Sequence, residues 1–174
     1  MTTVPYPGEL VSRETIPGVG ECLLRPVQPE DELTFLDSFS QLSLHDVHMR
    51  FFTPLRSLPP QVLARLTHID YDHEMAFVLF DSANLVAGIS RMTGKSDSCR
   101  AEFAIVTRSD LKRHGIALLL MNKLIAYART KGVTELFGDV LAENAAMLAF
   151  CRTLGCSLER SPEDHFLVRA TLQL

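Results

Sequence analysis

The sequence predicts a single α/β domain with a mixed, mostly antiparallel central sheet that is flanked by helices on both faces. Short apolar runs rich in β-branched and aromatic residues, which favour strands, alternate with longer amphipathic segments, which favour helices. Two of these runs, residues 75–80 and 85–91, are joined by the turn-forming segment 81–84 and therefore predict an antiparallel hairpin.

The predicted elements cover most of the chain. Residues 1–20 are rich in proline and glycine and are expected to form a loosely ordered lead-in, with residues 21–174 as the single domain. Besides the hairpin, periodicity and flanking residues predict strands over 22–25, 102–107, 135–140, 157–158 and 166–172, and helices over 30–49 (one or two), from Pro60, over 116–131 and over 144–154.

Composition limits the class of protein. With 174 residues, 47% of them hydrophobic, the chain can bury one sizeable core. A net charge of -4 argues against a nucleic-acid binder. No apolar run reaches spanning length, so we expect no membrane segment. The four cysteines form no Cys-x-x-Cys pair, and we expect a cytoplasmic protein with reduced thiols and no metal site.

One strand-turn-helix segment carries the clearest functional signal. The strand over 102–107 is followed by a polar turn and an amphipathic helix that ends at Gly132. The first-turn amides of such a helix lack intrahelical acceptors, and Gly115 allows close backbone approach, so the turn predicts an anion site. The alternative interpretation is an ordinary solvated surface loop.

Two motifs in this order resemble those of the GNAT superfamily of acyl-CoA-dependent N-acyltransferases. Residues 112–117 resemble the Gln/Arg-x-x-Gly-x-Gly/Ala signature, although Lys112 stands where the family prefers Gln or Arg. Residues 142–147, followed by 154–156, resemble the later family motif, in which an Asn opens a helix that usually ends in Gly-Phe. The resemblance extends over residues 23–172 and implies a GNAT-like fold.

Four further segments are most similar to the acetyltransferase domain of bacterial Pat-type protein lysine acetyltransferases: residues 25–31, 50–52, 69–74 and 101–104. This resemblance implies direct acetyl transfer from acetyl-CoA to an amine, as first choice a protein lysine, for example one of an acyl-CoA synthetase. A small-molecule amine is the alternative acceptor. A non-catalytic acyl-CoA-binding regulatory module, or an interaction domain with a vestigial pocket, is the alternative to an enzyme.

The same resemblance implies a catalytic role for Glu102. A free lysine amine has a pKa of about 10.4 and must lose a proton before it attacks a thioester, so a general base is needed. Glu102 occupies the position of the general base in Pat-type enzymes, and partial burial in a cleft would raise its pKa. The alternative is a solvent-facing carboxylate on a half-exposed strand.

Coenzyme contacts are implied for residues in three places, each with a simpler alternative. Ile105, Val106 and Thr107 would offer a backbone N–H to the thioester carbonyl, or would only be core residues. Asn144 would bond the coenzyme arm or cap its helix, and Cys151, where the family commonly has a Tyr, would meet the leaving thiol or pack on a helix face. The pyrophosphate contacts would be Lys112, Arg113, His114, Gly115, Ile116 and Ala117.

An acidic cluster before the hairpin is a candidate substrate site. Asp70, Asp72 and Glu74 lie within five residues of one another and could attract a cationic lysine side chain. Solvated loop carboxylates are the alternative. His45 and His48 could share a helix face, but without a third ligand they predict no metal site.

Overall fold

Eight strands and five α-helices make up the computed structural model, which describes residues 4–174. The strands are β1 (Ser12–Ile16), β2 (Gly20–Pro26), β3 (Glu74–Phe80), β4 (Val86–Gly94), β5 (Arg100–Thr107), β6 (Glu135–Leu141), β7 (Ser157–Arg160) and β8 (Leu167–Gln173). The helices are α1 (Glu32–Ser40), α2 (Leu44–Phe51), α3 (Pro60–Thr67), α4 (Ile116–Thr130) and α5 (Ala145–Leu154).

The strands form one open sheet in the order β1-β2-β3-β4-β5-β6-β8-β7. Every neighbouring pair is antiparallel except β5 and β6, which are parallel. The predicted fold class, a mixed and mostly antiparallel sheet with helices on both faces, is therefore confirmed.

Both faces of the sheet are covered at its centre. The side chains of Met75, Phe77 and Leu79 on β3 join the core beneath α4 and α5. The intervening residues of β3, among them Val78, join a second core formed with α1, α2 and α3. Because β3 is buried on both faces, it forms a continuous apolar run instead of an alternating pattern.

The N-terminal segment is more ordered than the sequence suggests. Residues 12–16 form β1, which pairs with β2 over five positions, so the predicted loosely ordered lead-in over 1–20 is wrong for this part. The strand was missed because its apolar alternation is weak: of its five residues only Ile16 is buried, as expected for an edge strand.

Strands β5 and β6 separate soon after they pair. Their register runs only from Arg100 to Glu102 on β5, whereas β5 remains paired with β4 up to Thr107. Gly138 lies on β6 just past the last pair, and a Cβ there would lie 2.9 Å from the carbonyl oxygen of Phe103. Glycine thus allows β6 to pass close to Phe103 of β5 at the point where the two strands diverge. Both α4 and α5 begin after the diverging ends of these strands.

No helix within residues 4–174 is long and apolar enough to cross a bilayer.

Candidate active site

A cleft of about 680 Å³ opens where β5 and β6 separate. This volume falls within the range of about 300–1,000 Å³ that is typical of small-ligand and cofactor sites. The walls come from β5, β6, the turn before α4 and the first turns of α4 and α5, and α2 lies across the cleft. The predicted site residues on these walls are Glu102, Ile105, Val106, Thr107, Lys112, Arg113, Gly115, Ile116, Ala117 and Asn144.

The backbone of β5 turns two amides toward the opening. The amide of Arg108 donates to the carbonyl of Ala87 on β4 at 2.8 Å. Because N–H directions alternate along an antiparallel strand, the amide of Val106 also faces β4, while those of Ile105 and Thr107 face the side that β6 has left. Of the three predicted backbone donors, two are therefore free to bind a ligand.

The turn before α4 presents a second set of amides. Gly115 is the N-cap residue of α4, has a φ of +80° and makes no side-chain cap. The first intrahelical bond of α4 runs from the amide of Leu119 to the carbonyl of Gly115, so the amides of the preceding first-turn residues have no helical acceptor. A Cβ at Gly115 would meet no atom within 4 Å, which shows that this end of the helix borders open space.

Glu102 stands at the mouth of the cleft on the sheet face that α1, α2 and α3 share. It is the last residue of β5 paired with β6, and its side chain is exposed. The partial burial considered from the sequence is therefore not found. Glu102 nevertheless lines the same cleft as the two strand amides and the helix N-terminus, and there a carboxylate can accept a proton from a second reactant.

Comparison with known proteins identifies the family. Residues 42–156 match the model of the acetyltransferase (GNAT) family. The chain is also 32% identical over 145 residues to the acetyltransferase PA5475 of Pseudomonas aeruginosa, a match that covers 82% of this chain and 78% of the relative. The chain belongs to the GNAT acetyltransferase family. It is accordingly an N-acetyltransferase, and the enzymes of this family use acetyl-CoA.

Solved structures show the same GNAT fold. The GNAT domain of S. lividans PAT superimposes with a TM-score of 0.91 at 22% identity, covering 98% of this chain and 100% of that one. The spermidine N-acetyltransferase of Vibrio cholerae, solved with CoA and spermine, has a TM-score of 0.70 at 20% identity and covers 87% of this chain and 95% of its own. At these identities the similarity establishes the fold.

Helix α2 of this GNAT domain makes side-chain contacts with both walls of the cleft. The Lys112 ammonium group forms an ion pair with Asp46 on α2, and the Ser109 hydroxyl donates to the same carboxylate. On the opposite wall, the His48 ring lies 3.2 Å from a carboxylate oxygen of Glu143. Lys112, predicted as a pyrophosphate contact, thus also holds the turn against α2.

The environment of Asp46 makes its carboxylate acidic. Its burial acts to raise the pKa, but hydrogen bonds with Lys112, Ser109 and Ser43 outweigh burial and hold the pKa of Asp46 below its usual value. A carboxylate with a lowered pKa stabilises the folded state above its unfolded pKa of about 3.9, and this stabilisation is lost as the pH falls through the folded pKa.

We expect Asp46→Asn to lower the free energy of unfolding by about 1–2 kcal/mol at pH 7, because it removes a partly exposed ion pair and a charged hydrogen bond. The difference from the wild type should shrink as the pH falls below about 3.9 and then through the lowered pKa of the folded wild type. Urea unfolding at pH 7 and pH 3 measures both values. Asp37→Asn, at an exposed position on α1, is the control. A difference that is independent of pH would contradict the assignment.

Asn144 and Cys151, both on the later motif, have different positions. The Asn144 side chain accepts a hydrogen bond from the Met147 amide at 3.1 Å, so it caps α5, and it also lines the cleft. Cys151 is fully buried in the core and is absent from the cleft wall. The predicted coenzyme contact at Cys151 is therefore wrong.

The cysteine points inward because α5 turns a different face to the cleft. Met147 and Phe150 line the cleft, whereas Cys151 packs beside Cys156. Its hydrogen bond with Cys156 and its burial raise the pKa of the Cys151 thiol. No proton donor to a leaving thiol is provided at this position.

His114 supports the turn instead of lining the cleft. Its Nδ1 atom lies 2.9 Å from the carbonyl oxygen of Lys112 and 3.2 Å from that of Leu111. The ring also packs against Gly18, in the turn between β1 and β2, where a Cβ would come within 2.9 Å of it. The contact of His114 with a pyrophosphate stays a prediction, and the N-terminal hairpin shows that its ring also has a packing role.

The acidic cluster also has structural roles. Asp70 accepts hydrogen bonds from the amides of Asp72, His73 and Glu74 at 2.9–3.0 Å. Asp72 pairs with Lys131 at 2.8 Å, and Glu74 pairs with Arg91. None of the three carboxylates lines the cleft, so the predicted substrate site lies outside it and stays a prediction. Each charge is already used to fasten the loop before β3.

Sequence reasoning missed the part of the site contributed by α2. His45, Met49, Arg50 and Phe52 line the cleft, as does Asp139 on β6. Segment 50–52 contributed to the family resemblance, but its sequence contains no signal for which side chains reach the cleft. Within residues 4–174, no three His, Cys, Asp or Glu side chains are grouped so as to hold a metal ion.

Proposed function

We propose that this GNAT enzyme transfers an acetyl group from acetyl-CoA to a lysine side chain of a protein, with Glu102 as the general base. The observation that carries the proposal is the position of Glu102, which is exposed and lines the same cleft as the freed amides of β5. The pyrophosphate would lie against the first-turn amides of α4, and the pantetheine arm would run between β5 and β6, past Ile105 and Thr107.

The reaction needs one proton acceptor and one polarised carbonyl. Glu102 takes a proton from the protonated acceptor amine, and the neutral nitrogen then attacks the thioester carbon. An N–H of Ile105 or Thr107 donates to the carbonyl oxygen as charge develops on it. The new C–N bond forms and the C–S bond breaks, so that coenzyme A leaves as a thiolate, which takes up the second proton that the nitrogen loses as the amide forms. A free thiol has a pKa near 8.5, so this leaving group needs no dedicated acid.

An open sheet face beside Glu102 supports a protein as the acceptor. The helices α1, α2 and α3 pack over the β3 and β4 side of this face. On β6 and β8 the side chains of Phe137, Asp139 and Arg169 remain half-buried, and Glu159 on β7 is exposed. A large partner can reach Glu102 across this surface. Four free cysteines and an acyl-CoA substrate favour a cytoplasmic location.

A small amine is the second candidate acceptor. The fold is shared with a spermidine N-acetyltransferase. Three carboxylates line the cleft: Asp46 is paired with Lys112, and Glu102 and Asp139 could attract a cationic amine. The Asp139 carboxylate already forms a double hydrogen bond with Arg169 at 2.9 Å, which leaves Glu102 as the main attraction for a second cation.

Coenzyme A release measured against three acceptor groups tests the proposal. The panel contains acyl-CoA synthetases, lysine peptides and polyamines, each with acetyl-CoA. We expect turnover on a protein or peptide lysine, located by mass spectrometry and lost when that lysine is replaced by arginine. Turnover on polyamines alone would favour the second candidate. Thermal stabilisation by acetyl-CoA without turnover on any acceptor would favour a regulatory acyl-CoA-binding module.

A further inference from the structure

Arg50 is a cation at the inner end of the cleft with no assigned role. It is the penultimate residue of α2, is half-buried, and lines the 680 Å³ cleft. It also lines a smaller adjoining cavity of about 50 Å³. The two spaces share Arg50, Ala104 and Val106 as their common wall, so the guanidinium lies between the reaction site and an inner apolar recess.

The guanidinium of Arg50 has no anionic partner among residues 4–174. The guanidinium carbon lies 5.1 Å from the centroid of the Phe51 ring, which makes a cation–π contact. Burial and the positive charge of Arg91 lower the pKa of Arg50 to about 10, while Glu102 attracts it without forming an ion pair. Arg50 therefore stays protonated at neutral pH.

The neighbouring Arg91, on the same sheet face, has a guanidinium whose donors are bound within the fold. Arg91 forms an ion pair with Glu74 and donates to the carbonyl oxygens of Leu66 at 3.0 Å and Arg65 at 2.9 Å. Its donors are thus used by the fold, whereas those of Arg50 are not. The N–H donors of the half-buried Arg50 guanidinium therefore remain available to a ligand, and their planar arrangement matches a carboxylate.

We propose that Arg50 binds a carboxylate carried by one of the two reactants, either the distal carboxylate of a dicarboxylic acyl group or the α-carboxylate of an amino-acid acceptor. The inference rests on the acyl-transfer part of the proposed function, with a dicarboxylic acyl group in place of acetyl or an amino acid in place of the protein lysine. The bonds formed and broken are those of acyl transfer to an amine, and the carboxylate takes no part in them.

Size and charge favour a carboxylate over a phosphate. The recess beyond Arg50 is small and mostly apolar, and its walls include Phe35, Phe39 and Ile89. Glu102 lies on the same sheet face and would repel a dianion more strongly than a monoanion. A flat, singly charged group on a short carbon chain fits both conditions.

The first arm of the test measures binding alone. Calorimetry compares acetyl-CoA with succinyl-CoA on the wild type, Arg50→Met and Arg50→Lys. If the carboxylate comes with the acyl group, the wild type should prefer succinyl-CoA by about 10- to 100-fold, as expected for a charged hydrogen bond. Arg50→Met should abolish the preference, and Arg50→Lys should retain part of it.

The second arm tests the acceptor. Nα-acetyl-lysine and N-acetylcadaverine each have one free amine, but only Nα-acetyl-lysine carries a carboxylate. The ratio of their kcat/KM values with acetyl-CoA therefore measures how strongly the enzyme recognises that carboxylate. An acceptor carboxylate predicts a ratio of about 10 to 100 that falls to near one in Arg50→Met. Arg56→Met, which removes an exposed arginine from outside the cleft, should leave both preferences unchanged.

The outcomes separate the two proposals. Two results would overturn the role of Arg50. The wild type could bind acetyl-CoA and succinyl-CoA equally and use Nα-acetyl-lysine and N-acetylcadaverine with equal kcat/KM, or its preferences could survive Arg50→Met. An Arg50-dependent preference for succinyl-CoA in binding, without turnover of any amine, would support Arg50 and contradict the proposed acetyltransferase function.

Discussion

Glu102→Gln is expected to lower kcat by about 10²- to 10⁴-fold, the usual contribution of a general base. Glutamine keeps the size and shape of the side chain but cannot accept the amine proton at neutral pH. Because Glu102 is exposed and lies at the mouth of the cleft, the substitution should alter neither folding nor acetyl-CoA affinity. Coenzyme A release gives the rate, and calorimetry with acetyl-CoA gives the affinity.

A matched control sharpens this prediction. Glu159→Gln removes an exposed carboxylate from the same open sheet face, outside the cleft, and should leave kcat unchanged. Unchanged turnover in Glu102→Gln would remove this residue from the mechanism.

Gly115→Val is expected to weaken acetyl-CoA binding by about 10- to 100-fold, the loss that follows when charged hydrogen bonds to a phosphate can no longer form. The added side chain would project into the open space beside the first turn of α4 and would separate the pyrophosphate from the helix amides. Residue 115 also has a φ of +80°, which costs a residue with a Cβ about 1–2 kcal/mol of stability.

The other end of α4 provides the control that separates these two effects. Gly132 has a φ of +73° and, like Gly115, open space where a Cβ would lie, but it is far along the chain from the cleft-lining turn. Gly132→Val should reduce the free energy of unfolding by a similar amount and leave acetyl-CoA affinity intact. Equal affinity losses in the two variants would mean that backbone strain alone explains the Gly115 result.

Local signals predicted much of the framework. The bounds of α4 follow from its amphipathic period and the glycines that flank it, and β3 and β4 follow from two apolar runs around a turn. Asn144 was predicted as a possible helix cap, and the cap is present. In each case the residues that decide the structure lie within one turn or one hairpin of each other.

Contacts between distant segments could not be predicted in the same way. Asp46 and Lys112 are 66 positions apart, and no periodicity indicates that α2 crosses the cleft to meet the turn before α4. Cys151 faces the core because of how α5 packs on the sheet, which the spacing from Asn144 leaves open. The sequence suggested a substrate site at Asp70, Asp72 and Glu74. The partners of these carboxylates, which are backbone amides, a lysine and an arginine, can be recognised only in the folded structure.

The sequence by itself determined the α/β class, the family resemblance and the strand-turn-helix segment 102–132, because each depends on short-range patterning and on residues in a fixed local order. Only the tertiary structure decided which side chains share the cleft. The separation of β5 from β6 frees the amides of Ile105 and Thr107, and the path of α2 brings an unpaired Arg50 beside Glu102. These features depend on how whole elements pack, and packing joins residues that the linear sequence keeps apart.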